Sequence, residues 1–177
     1  MIAPIDLGPC RGYEWQGDGR TAVVLPGAML GGTPTCYYAA LTLFELGWRV
    51  VQVWSEWDGE TDRSEWAAGV AGAALGYAGD VDLLVAKSIT TRITGVAADR
   101  GLRAVWLTPL LVLDECVDGL RRRTAPALLV GGTNDESWDG ALARELSPDV
   151  LELEGGDHGL ARLDDVAKII DALRAFA

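Results

Sequence analysis

The sequence predicts a doubly wound α/β fold with a mostly parallel sheet. Short apolar runs alternate with helix-like segments along the chain, which is the pattern of βα units. Between residues 50 and 130 these runs are almost entirely apolar, as in strands covered by helices on both faces. The length of 177 residues suits one domain, so we expect residues 1–177 to form a single α/β unit.

The elements follow from these patterns in chain order. Gly47 stands where the first helix would end, and Asp62 can cap the second because its carboxylate can accept from first-turn amides. Residues 10–20, which contain Gly17 and Gly19, predict an antiparallel N-terminal hairpin at the sheet edge. The predicted strands are 21–25, 49–54, 82–86, 103–107, 127–130 and 150–153, and the predicted helices are 35–46, 62–77, 89–100, 114–122, 137–146 and 163–176.

The charge balance argues against a nucleic-acid partner. The chain has 15 Lys and Arg against 26 Asp and Glu, a formal charge of −11, and a negative surface repels phosphate backbones. The basic run Arg121–Arg123 is interpreted as a solvated helix face. No apolar stretch reaches the roughly 18–20 residues of a membrane span, and the first residues lack the pattern of a secretory signal. We therefore expect a cytoplasmic protein without a membrane partner, either a monomer or a homodimer.

Cysteine and histidine usage restricts the possible sites. Cys10, Cys36 and Cys116 are odd in number and far apart, which favours free structural thiols over disulfides or a thiolate metal site. The chain has one histidine, so a histidine-cluster metal site is excluded. We expect neither a metal nor a cofactor.

A serine follows a predicted buried strand in the run Val85–Thr90. A sharp strand-to-helix turn lifts a serine hydroxyl above the sheet, where it can act as a nucleophile. Ala86 is small, as the packing of such a turn requires, whereas Thr90 is larger than the glycine usual at that position. The alternative is that Ser88 only caps the following helix.

An acid and a base follow two later strands. Asp135 lies in the loop after 127–130, although it or Asp139 could instead cap the next helix. His158, the one histidine, lies among glycines just after 150–153. The order Ser88, Asp135, His158 fits nucleophilic catalysis, because imidazole can take the hydroxyl proton and a carboxylate can orient the imidazole.

The glycine-rich loop at 26–32 can supply a backbone amide to an oxyanion. We assign this amide to Ala28, with Met29 as the alternative, and the second donor to Ile89, which follows the nucleophile. A phosphate-binding loop is the competing interpretation. The loop matches neither common phosphate pattern and no lysine follows it.

These residues resemble the α/β-hydrolase superfamily, and in particular its small, lidless, dienelactone-hydrolase-like serine hydrolases. The matching segments are 25–28, 84–88, 132–135 and 156–159, and the resemblance extends from about residue 20 to the end. It implies Ser88 as nucleophile, His158 as base, Asp135 as orienting acid, and Ala28 and Ile89 as oxyanion donors. It also implies a fold without a lid domain.

The rim residues suggest the substrate. Met29, Trp57, Pro109 and Trp138 fall in loops at the expected edge of the sheet and are candidates for an apolar pocket. A serine hydrolase acting on a small, mostly neutral ester or thioester is the leading hypothesis. The alternatives are a catalytically inactive binding protein of the same fold and a flavodoxin-like nucleotide or flavin binder.

Overall fold

The structure is a computed structural model that describes residues 1–29 and 33–177. Its strands are β1 (Ile2–Asp6), β2 (Arg11–Trp15), β3 (Thr21–Leu25), β4 (Arg49–Val53), β5 (Leu83–Lys87), β6 (Ala104–Leu107), β7 (Ala127–Gly132) and β8 (Asp149–Leu153). Its α-helices are α1 (Pro34–Glu45), α2 (Arg63–Ala78), α3 (Thr94–Asp99), α4 (Asp114–Arg122), α5 (Gly140–Leu146) and α6 (Leu163–Phe176), and a 3₁₀ segment spans Ser88–Ile93.

The strands form one open sheet in the order β1-β2-β4-β3-β5-β6-β7-β8. β1 and β2 are antiparallel, β2 pairs antiparallel with β4, and the remaining pairs are parallel. An apolar core covers each face of the sheet, and every residue of β5 is buried. The predicted doubly wound, mostly parallel sheet is confirmed. Its parallel strands β3 to β8, numbered in chain order, lie 2-1-3-4-5-6, which extends the 2-1-3-4-5 order of flavodoxin by one strand, and the antiparallel β1 and β2 are added beside β4.

The antiparallel N-terminal hairpin is confirmed, but it consists of β1 and β2, between residues 2 and 15, and not of residues 10–20. The turn occupies residues 7–10, where the Leu7 amide donates to the Cys10 carbonyl over 3.0 Å. Gly17 is small for another reason, because a Cβ there would lie 2.3 Å from the main-chain carbonyl of Trp48. Gly17 therefore lets the segment between β2 and β3 pass close to the main chain of Trp48.

Two predicted helices differ from those observed. The expected helix at 89–100 is a 3₁₀ segment followed by α3, and the Ser88 carbonyl accepts from the Thr91 hydroxyl over 2.6 Å instead of continuing an α-helical ladder. The expected helix at 137–146 begins only at Gly140. Asp139 caps it by accepting from the amides of Ala141 and Leu142, so Asp135 is not its cap.

The surface and thiol expectations agree with the structure. Arg121 and Arg122 form ion pairs with neighbouring acids, as a solvated helix face would. The three cysteines are free and buried, and burial raises the pKa of Cys116 to about 11. Within residues 1–29 and 33–177, no helix is long and apolar enough to cross a membrane.

Thr90 holds the corner between β5 and the 3₁₀ segment. Its side chain is fully buried, and its hydroxyl accepts from the Lys87 amide over 3.1 Å. The same hydroxyl lies 2.8 Å from the Pro26 carbonyl, to which it donates. The threonine thus ties the end of β5 to the loop after β3, which a glycine at this position would leave unlinked.

We predict that Thr90→Val destabilises the protein by about 1–3 kcal/mol, because two buried main-chain groups lose their partner while the side-chain volume is kept. Thr90→Gly should also destabilise it, although glycine is usual in such turns. Urea unfolding at neutral pH measures both. Thr124→Val, on an exposed loop, is the matched control and should leave the free energy of unfolding unchanged. A Thr90→Val protein as stable as the unsubstituted one would contradict the assigned role.

Candidate active site

Ser88 lies immediately after β5, at the carboxyl edge of the parallel strands. Its φ of +53° is in the left-handed region, which is uncommon for any residue other than glycine. Such outliers persist where the surroundings fix them and are frequent at functional sites. The conformation directs the Ser88 side chain toward His158 rather than onto the amides of its own helix, and the structure gives Ser88 no capping contact.

Ser88, His158 and Asp135 form a continuous hydrogen-bonded chain. The Ser88 Oγ lies 2.7 Å from Nε2 of His158, and the Nδ1 of His158 lies 2.8 Å from Oδ2 of Asp135. The Asp135 side chain is 3% exposed, whereas that of His158 is 44% exposed. A buried acid therefore lies behind an accessible imidazole, with the serine in contact on the opposite ring nitrogen.

Ser137 completes the surroundings of the acid. Its amide and its hydroxyl both donate to Oδ1 of Asp135, over 2.9 and 2.6 Å, which leaves Oδ2 for His158. Burial raises the pKa of Asp135, but the hydrogen bonds from His158 and Ser137 outweigh it, and the net shift is downward. Asp135 is therefore ionised at neutral pH. Ser137 was not among the predicted site residues, although an aspartate often accepts from the amide two residues after it.

The acid and base loops touch through a glycine. A Cβ on Gly132 would lie 2.2 Å from the Gly156 carbonyl oxygen, so only glycine permits this approach. The Asn134 amide donates to the same carbonyl over 2.9 Å. These main-chain contacts bring the loops after β7 and β8 together and place Asp135 beside His158.

The proposed oxyanion donors lie near Ser88. Ala28 and Ile89 both line the cavity that contains Ser88. The Ala28 carbonyl accepts from the Trp57 amide over 2.9 Å, which fixes the orientation of the loop after β3. Ile89 is the second residue of its helical segment, where an amide has no partner within the helix. Residues 30–32 of the predicted glycine-rich loop lie outside the described residues.

The cavity has a volume of about 480 Å³ and is mostly apolar. Of the four candidate pocket residues, Met29 and Trp57 line it, whereas Pro109 and Trp138 do not. Leu110 takes the position expected for Pro109. The Trp138 indole instead packs against Gly131 and donates to Glu152 over 2.8 Å.

Two cationic residues of the cavity wall were not predicted. Lys87 is 4% exposed and ends an otherwise apolar strand, and that break in the pattern was the available signal. Arg63 lies over the Trp57 ring, with 4.9 Å between its guanidinium carbon and the ring centroid. A contact between side chains of a loop and a helix start has no sequence signature.

Comparison with known proteins identifies relatives by structure only. No protein-family model and no curated protein matches this sequence. An alpha-beta serine hydrolase homologue from Coxiella burnetii has a TM-score of 0.76 at 16% identity, covering 100% of this chain and 97% of that one. Est1E from Butyrivibrio proteoclasticus has a TM-score of 0.76 at 12% identity, covering 99% and 96%.

A third neighbour lacks a lid. A serine hydrolase from Xanthomonas campestris, described as without lid, has a TM-score of 0.74 at 15% identity, with 99% of this chain and 94% of that one covered. The likeness extends over essentially the full length of each of the three. The chain therefore has the α/β-hydrolase fold.

Proposed function

We propose that the protein is a serine hydrolase that cleaves esters through an acyl-enzyme on Ser88. The observation that supports this most directly is the hydrogen-bonded chain from Ser88 through His158 to ionised Asp135, at 2.7 and 2.8 Å, beside an open cavity. An esterase domain from a Rhodothermus marinus protein is a structural neighbour, which agrees with an ester substrate.

In the proposed reaction, Ser88 Oγ attacks the ester carbonyl carbon while Nε2 of His158 takes its proton. The carbonyl oxygen becomes an oxyanion, to which the amides of Ala28 and Ile89 donate. The imidazolium, stabilised by Asp135, then protonates the leaving alcohol as the carbon–oxygen bond breaks. A water molecule activated by His158 attacks the acyl-enzyme and releases the acid.

The cavity wall supports a small, mostly neutral acyl or alcohol group. Met29, Trp57 and Leu110 provide apolar contact next to Ser88. A volume of about 480 Å³ is within the range of small-molecule sites. The short Ser88–His158 contact does not favour the catalytically inactive alternative.

A fluorophosphonate probe should label the protein once, because an activated serine attacks the phosphorus and forms a stable adduct. Mass spectrometry of digested protein should locate the adduct on Ser88. Ser88→Ala should abolish labelling and reduce ester hydrolysis by at least about 10³-fold. Ser64→Ala, a serine outside the cavity, is the matched control. Undiminished labelling of Ser88→Ala, or none of the unsubstituted protein, would refute the proposal.

Asp135→Asn should lower kcat by about 10³–10⁴-fold, because an amide cannot stabilise the imidazolium or fix its tautomer. It should also change acid stability. Because the pKa of Asp135 is lowered on folding, its ionised form stabilises the fold above the unfolded value of about 3.9, and this contribution is lost as pH falls through the folded pKa. Urea unfolding of both proteins from pH 7 to pH 3 should therefore show a difference that shrinks toward acid. A difference in the free energy of unfolding that does not change with pH would contradict the stabilising role of ionised Asp135.

A further inference from the structure

Lys87 is a buried ammonium next to the nucleophile, and the proposed mechanism gives it no role. It is one of two lysines in the chain, and the other, Lys168, is exposed on α6. Burying an ammonium is strongly unfavourable unless its protons find partners, and an apolar side chain of similar length avoids that penalty. Burial lowers the pKa of Lys87, while Cys36, Asp135 and Asp157 oppose that shift.

The partners of Lys87 belong to two other loops. Its Nζ donates to the main-chain carbonyl of His158 over 2.8 Å and to the Thr108 hydroxyl over 3.1 Å. Thr108 follows β6 with a φ of +46°, and its own amide donates to the Val130 carbonyl over 2.7 Å. Lys87 therefore links the end of β5 to the end of β6 and to the loop after β8. Among the described residues, it forms no ion pair with a carboxylate.

Hydrogen bonds to the loop after β7 hold the residues just before His158. Gly155 and Leu160 adopt positive φ values of 65° and 50°, and Gly156 and Gly159 flank the histidine. The Asp157 carboxylate accepts from the amides of Gly159 and Leu160, so local hydrogen bonds fix the residues just after the histidine. In the described parts of the chain, the hydrogen bond from Lys87 is the one side-chain contact to the main chain of His158 itself.

We propose that Lys87 is a positioning residue, which fixes the main chain of His158 so that its imidazole bridges Ser88 and Asp135. Its catalytic consequence rests on the proposed hydrolase function. Without the ammonium, the loop after β8 carries the His158 imidazole through a wider range of positions. A displacement of about 1 Å at such a site can reduce a rate by 10²-fold.

Lys87→Met keeps the methylene chain and removes the charge and the donors. With 4-nitrophenyl butyrate as probe, we expect kcat to fall by about 10–100-fold while KM stays within about twofold, since the cavity wall keeps its shape. Lys168→Met removes the same group from an exposed helix face and should behave like the unsubstituted enzyme. A kcat for Lys87→Met within twofold of that enzyme, or a change in KM alone, would overturn the proposal.

Chemical rescue separates a missing ammonium from general damage. Lys87→Ala leaves a gap in the cavity wall that matches n-propylammonium, and we expect this cation to restore several-fold of the lost kcat in a saturable way. Tetramethylammonium, a cation without N–H donors, should restore nothing. If Lys87→Met does not fold, rescue of Lys87→Ala decides the question, and an absence of rescue overturns the proposal.

The single histidine allows a test that needs no activity. In protein purified without a histidine tag, NMR should show one downfield proton, from the Nδ1–H of His158 held by Asp135. We expect this signal in the unsubstituted protein and in Lys168→Met, and its broadening or loss in Lys87→Met. An unchanged signal in Lys87→Met would overturn the inference. If neither hydrolysis nor probe labelling occurs but the signal depends on Lys87, the hydrolase function fails and the positioning role stands.

Discussion

The left-handed main chain at Ser88 is the constraint on which the rest of the site depends. A conformation of this kind at a residue other than glycine costs about 1–3 kcal/mol. The hydrogen bonds of the buried Thr90 hydroxyl to Lys87 and Pro26 offset that cost. Because Pro26 leads into the loop with Ala28, the same hydroxyl that holds the Ser88 corner also helps to position the proposed oxyanion donor. The proposed nucleophile and the proposed oxyanion loop are thus parts of one corner.

Asp135 and His158 are positioned in another way, by main-chain contacts between their two loops. Gly132 lets the loop after β7 approach Gly156, and the Asn134 amide closes the contact. The pairing of β7 with β8 thereby fixes Asp135 relative to the His158 loop. Besides the Ser88–His158 hydrogen bond itself, the hydrogen bond from Lys87 to the His158 carbonyl links that loop back to the corner that carries Ser88. The site thus joins two separately built halves across the sheet.

The parts that were predictable from sequence have short-range signals. Apolar runs define β3 to β8, and the order of Ser88, Asp135 and His158 after three of them follows from strand ends alone. The predicted helix boundaries were wrong where a single contact sets the boundary. Asp139 rather than Asp135 caps α5, and the positive φ at Ser88 starts a 3₁₀ segment where an α-helix was expected. Gly17 was included in the predicted hairpin, because its actual contact, with Trp48, is long-range and leaves no local signal.

What the sequence could not provide is the direction of side chains between elements. Trp138 and Leu110 both occur in rim loops, yet only Leu110 lines the cavity, because Gly131 leaves room for the indole to fold back onto the sheet. Lys87 was visible as a lysine at the end of an apolar strand, but its partners come from the segments that follow β6 and β8. A residue that closes a site across several strands is recognised by what it touches. The order of Ser88, Asp135 and His158 was therefore predictable from the sequence, whereas the role of the buried Lys87 is recognised only from the structure.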